Sequence, residues 1–245
     1  MNLKQSMQDL TSRVSSYPEV LCLLGLGSMA QIDRLDQYSD MDFFLIVKQE
    51  SKQTFLHDLT WLSIKPIVFS FQNTVDGYKV LFSDGTFAEF AIFTENEMKT
   101  ANFSKGVIYY KKEGFDEALV EPRFEPQPKK INIEFNINEA LSNIYIGLKR
   151  DHRRERSSAT TFIQVYAYQL IIELFPHLFE ETKIHQDLYV FERRIEQRFP
   201  HHTSLLESFR QGYTRNKASA SAMLNFLKEH FNLNPYMVKE IEKML

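Results

Sequence analysis

The sequence predicts an α+β fold, with a mixed β-sheet flanked by helices in the N-terminal half and an all-helical bundle in the C-terminal half. Three observations predict it. Short apolar runs separated by turn residues occupy 19–110, three prolines crowd 121–130, and from residue 132 onward almost every segment carries helical spacing. A chain of 245 residues has room for two domains of about 100–150 residues each. The expected division is a first domain over 1–120, a Pro-rich linker over 121–130 and a helical domain over 131–245.

Leu3, Met7, Leu10 and Val14 recur at helical spacing and predict an amphipathic first helix that Pro18 ends. Glu19 to Leu26 (EVLCLLGL) reads as a buried strand. A brief polar helix from Ser28 to about Asp36 should follow, and then a second strand over Met41 to Val47 (MDFFLIV). Gln53 to Leu62 is expected to be helical. Pro66 to Phe71, Gly77 to Phe82 and Thr86 to Phe93 read as strands of an antiparallel meander, because Asn73, Asp76-Gly77 and Asp84-Gly85 supply turns between them. Val107 to Tyr110 adds a further strand. Beyond the linker, helices are expected over 132–156, 158–177, 181–199, 204–230 and 235–245, punctuated by Pro176, Pro200 and Pro235.

Composition excludes several classes. With 43% hydrophobic and 25% charged residues the chain is neither disordered nor fibrous. A net charge of −3 argues against a general nucleic-acid or membrane-surface binder. The single cysteine, Cys22, cannot form an intramolecular disulfide. The N-terminal residues lack a signal-peptide core, and the apolar stretch around Val20 to Leu26 is far shorter than the roughly 18–20 residues that span a bilayer. A cytoplasmic location is expected.

The most informative segment runs from Leu23 to Val47. It holds a strand, a turn at Gly27-Ser28, and then Asp40 and Asp42 opening the second strand. Residues two apart in an extended chain project to one face. Two carboxylates held so closely repel each other unless a hard cation such as Mg²⁺ lies between them. Glycine permits close backbone approach at a turn, and a helix N-terminus together with the Ser28 hydroxyl suits phosphate. Taken alone, Ser28 as a plain N-cap and the acids as a solvated loop would account for either half. Gly25-Leu-Gly27-Ser-Met-Ala30 also fits a G-x-G-x-x-A dinucleotide fingerprint, but no acid is well placed at the end of the second strand and the chain then turns to a meander.

Gly27-Ser28, eleven residues, Asp40-x-Asp42 resembles the signature of the DNA polymerase beta-like nucleotidyltransferase superfamily. Within it, Gly27-Ser28 through Tyr38-Ser39-Asp40-Met41-Asp42-Phe43 looks most like the lincosamide and aminoglycoside nucleotidyltransferases of antibiotic resistance. The resemblance implies a catalytic first domain and a transfer of a nucleoside monophosphate, AMP from ATP, to a hydroxyl of a small molecule. It also implies Mg²⁺ as cofactor, nucleotide contacts at Gly27, Ser28 and Ser39, and a homodimer. Protein- or RNA-modifying nucleotidyltransferases of toxin–antitoxin type share the signature, and a non-catalytic nucleotide-binding protein could retain it.

Such enzymes carry a third acid on a later strand. Glu89, the one charge inside Thr86-Phe-Ala-Glu-Phe-Ala-Ile-Phe93, is the candidate metal ligand, with Asp84 the alternative already explained by its turn. Lys149-Arg-Asp-His-Arg-Arg-Glu-Arg156 is the densest basic patch, and Lys149, Arg150 and Arg153 are candidates to neutralise the triphosphate. Extending the buried face of Leu141, Ile144, Tyr145 and Leu148 along one helix puts His152 and Glu155 on the inward side, toward a cleft between the domains where the acceptor is expected. The family's Arg-Gly-Glu-like sequence is similar to Arg153-Arg154-Glu155, which implies Glu155 as the base for the acceptor hydroxyl, with His152 its rival. Arg154 stands where the family has glycine.

Overall fold

The structure is a computed structural model that describes residues 3–31, 35–124, 127–184 and 186–245. The chain divides into two compact units, Met1–Glu125 and Pro126–Leu245.

The first unit opens with α1 (Leu3–Val14), whose Leu3, Met7, Leu10 and Val14 are all buried. Six strands follow, interspersed with short helices. In chain order they are β1 (Val20–Gly25), α2 (Gly27–Ala30), β2 (Met41–Val47), α3 (Lys52–His57), β3 (Ile67–Gln72), β4 (Gly77–Phe82), β5 (Phe87–Phe93), α4 (Glu95–Met98) and β6 (Val107–Lys111). The strands form one sheet in the order β3-β4-β5-β2-β1-β6. Every neighbouring pair is antiparallel except β2 and β5, which run parallel. The antiparallel β1–β2 pairing rules out a dinucleotide-binding βαβ unit, which joins parallel strands by a crossover.

Alternate strand residues feed two cores. Met41, Phe43, Leu45, Ala88, Phe90 and Ile92 pack with α1 and Trp61 on one face, where the Phe43 and Phe90 rings stack at 5.1 Å. On the opposite face Ile46, Cys22 and Leu24 meet Met98 and Val120, with Phe44 and Phe93 alongside. Burial pushes the Cys22 thiol up to about 12, so it stays protonated. The helix expected over Gln53 to Leu62 is split. The Asp58 carboxylate accepts from Thr60 N at 2.9 Å and starts a separate 3₁₀ turn at Leu59–Leu62. The helix expected from Ser28 to Asp36 is only α2, and 32–34 lie outside the described residues. Asp36 instead caps its own turn, accepting from Tyr38 N at 2.8 Å and from the Ser39 hydroxyl at 3.0 Å.

The second unit begins with α5 (Ile133–His152), capped by the Asn132 side chain, which accepts from Phe135 N at 3.0 Å. It continues through α6 (Arg156–Thr160), a π-helical stretch Thr161–Ala167 and α7 (Tyr168–Ile172). Then come α8 (Phe175–Leu178), α9 (Ile195–Arg198), α10 (Thr203–Phe209), α11 (Asn216–His230) and α12 (Pro235–Glu242). Its core joins Ile144 and Leu148 of α5 to Ile163, Phe175, Phe209 and Met223. Several expected helices are not continuous, that over 132–156 among them, which breaks after His152. Over 181–199 only α9 is helical among the described residues, because the Asp187 carboxylate takes Tyr189 N and Val190 N, both at 3.0 Å, and competes with helix formation. The buried Arg198 guanidinium further ties this segment together, donating to Glu181 and to Phe191 O. Over 204–230 the helix breaks at Gly212, which has φ +96° and is gripped at both N and O by the Gln164 side chain. Among the described residues no helix is long and apolar enough to cross a membrane.

Lys52 is a buried cation, paired with Asp76 at 2.5 Å and with Glu97 at 2.6 Å. It ties α3 to the β3–β4 turn and to α4. Partial burial pushes the Glu97 carboxyl up, but the Lys52 ammonium and Thr94 pull it further, to a net value below its usual range. Glu97 therefore adds stability above its unfolded pKa of 4.5, and that stability is lost as pH falls through the lower folded value. Lys52→Met should cost about 2 kcal/mol at neutral pH and flatten the loss of stability as pH falls below the unfolded value of 4.5, as read by urea unfolding at a series of pH values. An unchanged acid limb would show that the pair does not carry it.

Candidate functional site

The candidate site lies where the parallel pair β2–β5 meets the turn after β1. Register places Asp42 directly beside Glu89 on the neighbouring strand, and Lys79 of β4 directly beside Glu89 on its other side. Cβ alternation sends Asp42, Glu89 and Lys79 to the same face of the sheet, the one that carries Phe44 and Ala91. Asp40 precedes Asp42 by two residues and is exposed.

The Gly27 turn is held against these acids by the backbone. Leu26 N donates to Asp42 O at 2.8 Å, and the Ser28 hydroxyl donates to Asp40 O at 3.1 Å. Gly27 has φ +52°, and a Cβ on it would stand 2.7 Å from Asp42 Oδ2. Both facts require glycine there. Ser28 is not an N-cap, since α2 starts at Gly27 and its N-cap is Leu26 without a side-chain bond. A helix of four residues has little dipole to offer a phosphate, so the expected helix-terminus cradle reduces to the turn itself. Ser39 is engaged with Asp36, its hydroxyl accepting from Asp36 N at 3.1 Å.

Glu89 has a protein partner for each oxygen. Asn73 Nδ2 donates to Oε1 at 3.1 Å and Lys79 Nζ lies 3.1 Å from Oε2. Asn73 Oδ1 is buried without a hydrogen-bond partner. A cavity of about 250 Å³ opens here, lined by Leu26, Asp42, Phe44, Asn73, Gly77 and Glu89 among others. Partial burial, and then the Glu89 charge, hold the Asp40 carboxyl above its usual range, while the Lys79 ammonium draws it back in part.

A hard divalent cation takes oxygen ligands. Asp40, Asp42 and Glu89 offer only carboxylate oxygens, and the Gly27 turn leaves open the space beside Asp42 Oδ2 that a Cβ would fill. The donor chemistry fits Mg²⁺. As the side chains stand, however, no group of three or more His, Cys, Asp or Glu among the described residues is placed to hold an ion. Glu89 is turned to Asn73 and Lys79 instead. Neither was named as a site residue from the sequence, where Asn73 was read only as a turn residue. Lys79 is not legible from the turn: a two-residue turn at Asp84-Gly85 would set Val80 opposite Glu89, whereas the observed loop holds three residues, 83–85, closed by Phe82 N donating to Thr86 O at 2.9 Å, and so sets Lys79 there.

The remaining candidates belong to the second unit. Glu155 is not on the inward face of a helix. The helix α5 stops at His152, Arg154 takes a left-handed conformation with φ +66°, and Glu155 is the exposed N-cap residue of α6, making no side-chain capping bond. Arg154 thus adopts the backbone that favours glycine, at the position where the Arg-Gly-Glu-like sequence has one. His152 is exposed, and its Nε2 lies 2.9 Å from Met244 O. Arg150 is used structurally: its guanidinium lies 4.1 Å from the Phe162 ring centroid and donates to the Ser158 hydroxyl. Lys149 and Arg153 are exposed, with the Lys149 ammonium 5.1 Å from the Tyr145 ring centroid.

No protein-family model matches the chain, and neither does any curated protein. Among solved structures, it is similar to an aminoglycoside 6-adenyltransferase from Bacillus subtilis at 14% identity and TM-score 0.37, over 100% of this chain and 92% of that one. It is also similar to a nucleotidyltransferase-like protein from Exiguobacterium sibiricum at 12% identity and TM-score 0.34, over 93% of this chain and 75% of that one. A third is the STING-associated CdnE c-di-GMP synthase from Capnocytophaga granulosa, at 12% identity and TM-score 0.32, over 98% and 76% of the two chains. Likeness of this size carries no argument about chemistry.

Two substitutions test the geometry. Because its folded carboxyl is raised, Asp40 supports stability fully only below its unfolded pKa of 3.8 and loses that support as pH rises through the folded value. Asp40→Asn should therefore raise the melting temperature at pH 7 and leave it nearly unchanged at pH 3, and a loss at pH 7 would contradict the electrostatics described. Gly27→Ala should cost more than about 1 kcal/mol in chemical denaturation, since the added Cβ meets both a positive φ and the Asp42 carboxylate.

Proposed function

We propose that the protein is a Mg²⁺-dependent nucleotidyltransferase that moves AMP from ATP to a hydroxyl of a small molecule. The observation that carries this reading is the side-by-side register of Asp42 and Glu89 on parallel strands, next to a glycine turn that abuts Asp42. Like charges are placed together at a strand end only at a cost, and nucleotidyl transfer is chemistry that uses such an arrangement.

In this reading Asp40, Asp42 and Glu89 would hold Mg²⁺, which supplies charge stabilisation to the α-phosphate and the departing pyrophosphate. Gly27, Ser28 and Ser39 would lie against the nucleotide phosphates, where glycine allows close backbone approach. Of Lys149, Arg150 and Arg153, the exposed Lys149 and Arg153 would neutralise the β- and γ-phosphates. Glu155 would accept the acceptor hydroxyl's proton, its carboxylate not being used as a helix cap. The acceptor class comes from the sequence signature: a lincosamide or aminoglycoside antibiotic, whose cationic character suits a chain of net charge −3. A second reading, a nucleotide-binding protein without transfer activity, is favoured by one observation, namely that both Glu89 oxygens already have protein partners.

Incubation with Mg²⁺, α-labelled ATP and a panel of aminoglycosides and lincosamides separates these readings. Pyrophosphate release with label on the drug is expected. Asp42→Asn and Glu89→Gln should each lower it by about 10²-fold or more, and chelation of the metal should abolish it. Label on a protein or RNA would move the acceptor to a macromolecule, whereas ATP binding without any pyrophosphate would favour the non-catalytic reading. Transfer that survives Asp42→Asn would sink the mechanism.

A further inference from the structure

We propose that Lys79 is a resident counter-cation of Glu89 and must be displaced from Glu89 Oε2 before a divalent ion can engage that carboxylate. The proposal rests on the nucleotidyltransferase reading of the site and gives this chain's Lys79 and Asn73 separate roles in it.

Three features carry it. The first is placement. Lys79 and Glu89 are directly opposed residues of β4 and β5, so the ammonium is delivered to the acids by strand register rather than by a mobile loop. The second is the division of the two Glu89 oxygens, one to Asn73 Nδ2 and one to Lys79 Nζ, each at 3.1 Å. These partners differ in how easily they leave. Asn73 is fixed by its own N–H donating to Gly77 O at 3.1 Å, in a turn that Lys52 anchors through Asp76. Lys79 has a flexible stem and is one-third exposed (34%), as is Glu89 more so (46%), so its ammonium can move into water at little cost. Asn73 is thus a positioning residue and Lys79 the exchangeable one. The third feature is that no three acids among the described residues form a ligand set as they stand. Glu89 is held toward β4, and an entering ion must win Oε2 from a cation already there.

The exchange has a chemical consequence. One ammonium offsets one of the three carboxylate charges, and it opposes the loading of a bare ion more than that of an ion that brings phosphate ligands with it. Metal and nucleotide would then bind together rather than in succession.

The test is calorimetric titration of Mn²⁺ into the full chain without nucleotide, with circular dichroism and thermal unfolding as the check on folding. Lys79→Gln should bind Mn²⁺ about twofold to fivefold more tightly than the wild type, and Lys79→Arg should restore the wild-type affinity. Adding Glu89→Gln to Lys79→Gln should remove the gain. Should Lys79→Gln fail to fold, Lys79→Met is read in the same way. Unchanged or weaker Mn²⁺ binding by a folded variant overturns the role of Lys79. If the wild type nevertheless binds Mn²⁺ and transfers nucleotide, only that role falls. Failure of every variant and of the wild type to bind Mn²⁺ overturns both the role and the metal-dependent reading of the site.

Discussion

The parallel pairing of β2 with β5 is the constraint on which the rest of the first unit depends. It is the one parallel contact in a sheet that is otherwise antiparallel. It lays Asp42 against Glu89, and it lays Phe43 against Phe90 one residue further on, with the rings stacked. A shift of one residue would send the acids into the Phe-rich core and the rings into solvent. The buried aromatic face therefore holds the acidic pair in place. The repulsion between the two carboxylates is offset by Lys79 and Asn73, and the packing beneath supplies what is needed to tolerate the remainder.

The turn at Gly27 is positioned by the same sheet. Leu26 N reaches across to Asp42 O, so the chain leaving β1 cannot drift from the acid-bearing strand. Glycine is required by two independent facts, its positive φ and the closeness of Asp42 Oδ2. On the far side the β3–β4 turn brings Asn73 to Glu89, and that turn is held by the buried Lys52 through Asp76. Backbone hydrogen bonding places one wall of the cavity and a buried ion pair places the other. The floor is the backbone of β2 and β5.

The second unit shows how side chains override helical spacing. Apolar periodicity was present across 181–199 and across 204–230, yet Asp187 and Arg198 in the first stretch and Gly212 in the second divert the backbone. Each does so by offering the main chain a partner that the helix does not supply, or a conformation that a helix cannot adopt. Arg154 behaves likewise at the end of α5. Its left-handed conformation separates the basic turn from the helix and leaves Glu155 as an exposed residue instead of part of a packed face.

Local pattern alone determined the α+β class, the strands β2 and β4 to the residue, the glycine turn, and the two acids that follow it two residues apart. These were legible because strand alternation, turn chemistry and helical spacing are properties of neighbouring residues. The turn at Asp84-Gly85 was legible too, but a two-residue turn there would set Val80 opposite Glu89, and only the three-residue loop 83–85 sets Lys79 there. Only the tertiary structure decided that β5 lies beside β2, and in parallel. Such a pairing joins residues 47 positions apart, and no local interaction specifies it. Only the tertiary structure decided that Glu89 is shared between Asn73 and Lys79, and that Glu155 stands at a break in the helix. Those outcomes depend on which polar groups packing leaves within reach of one another, and that is settled by the whole of each unit's core.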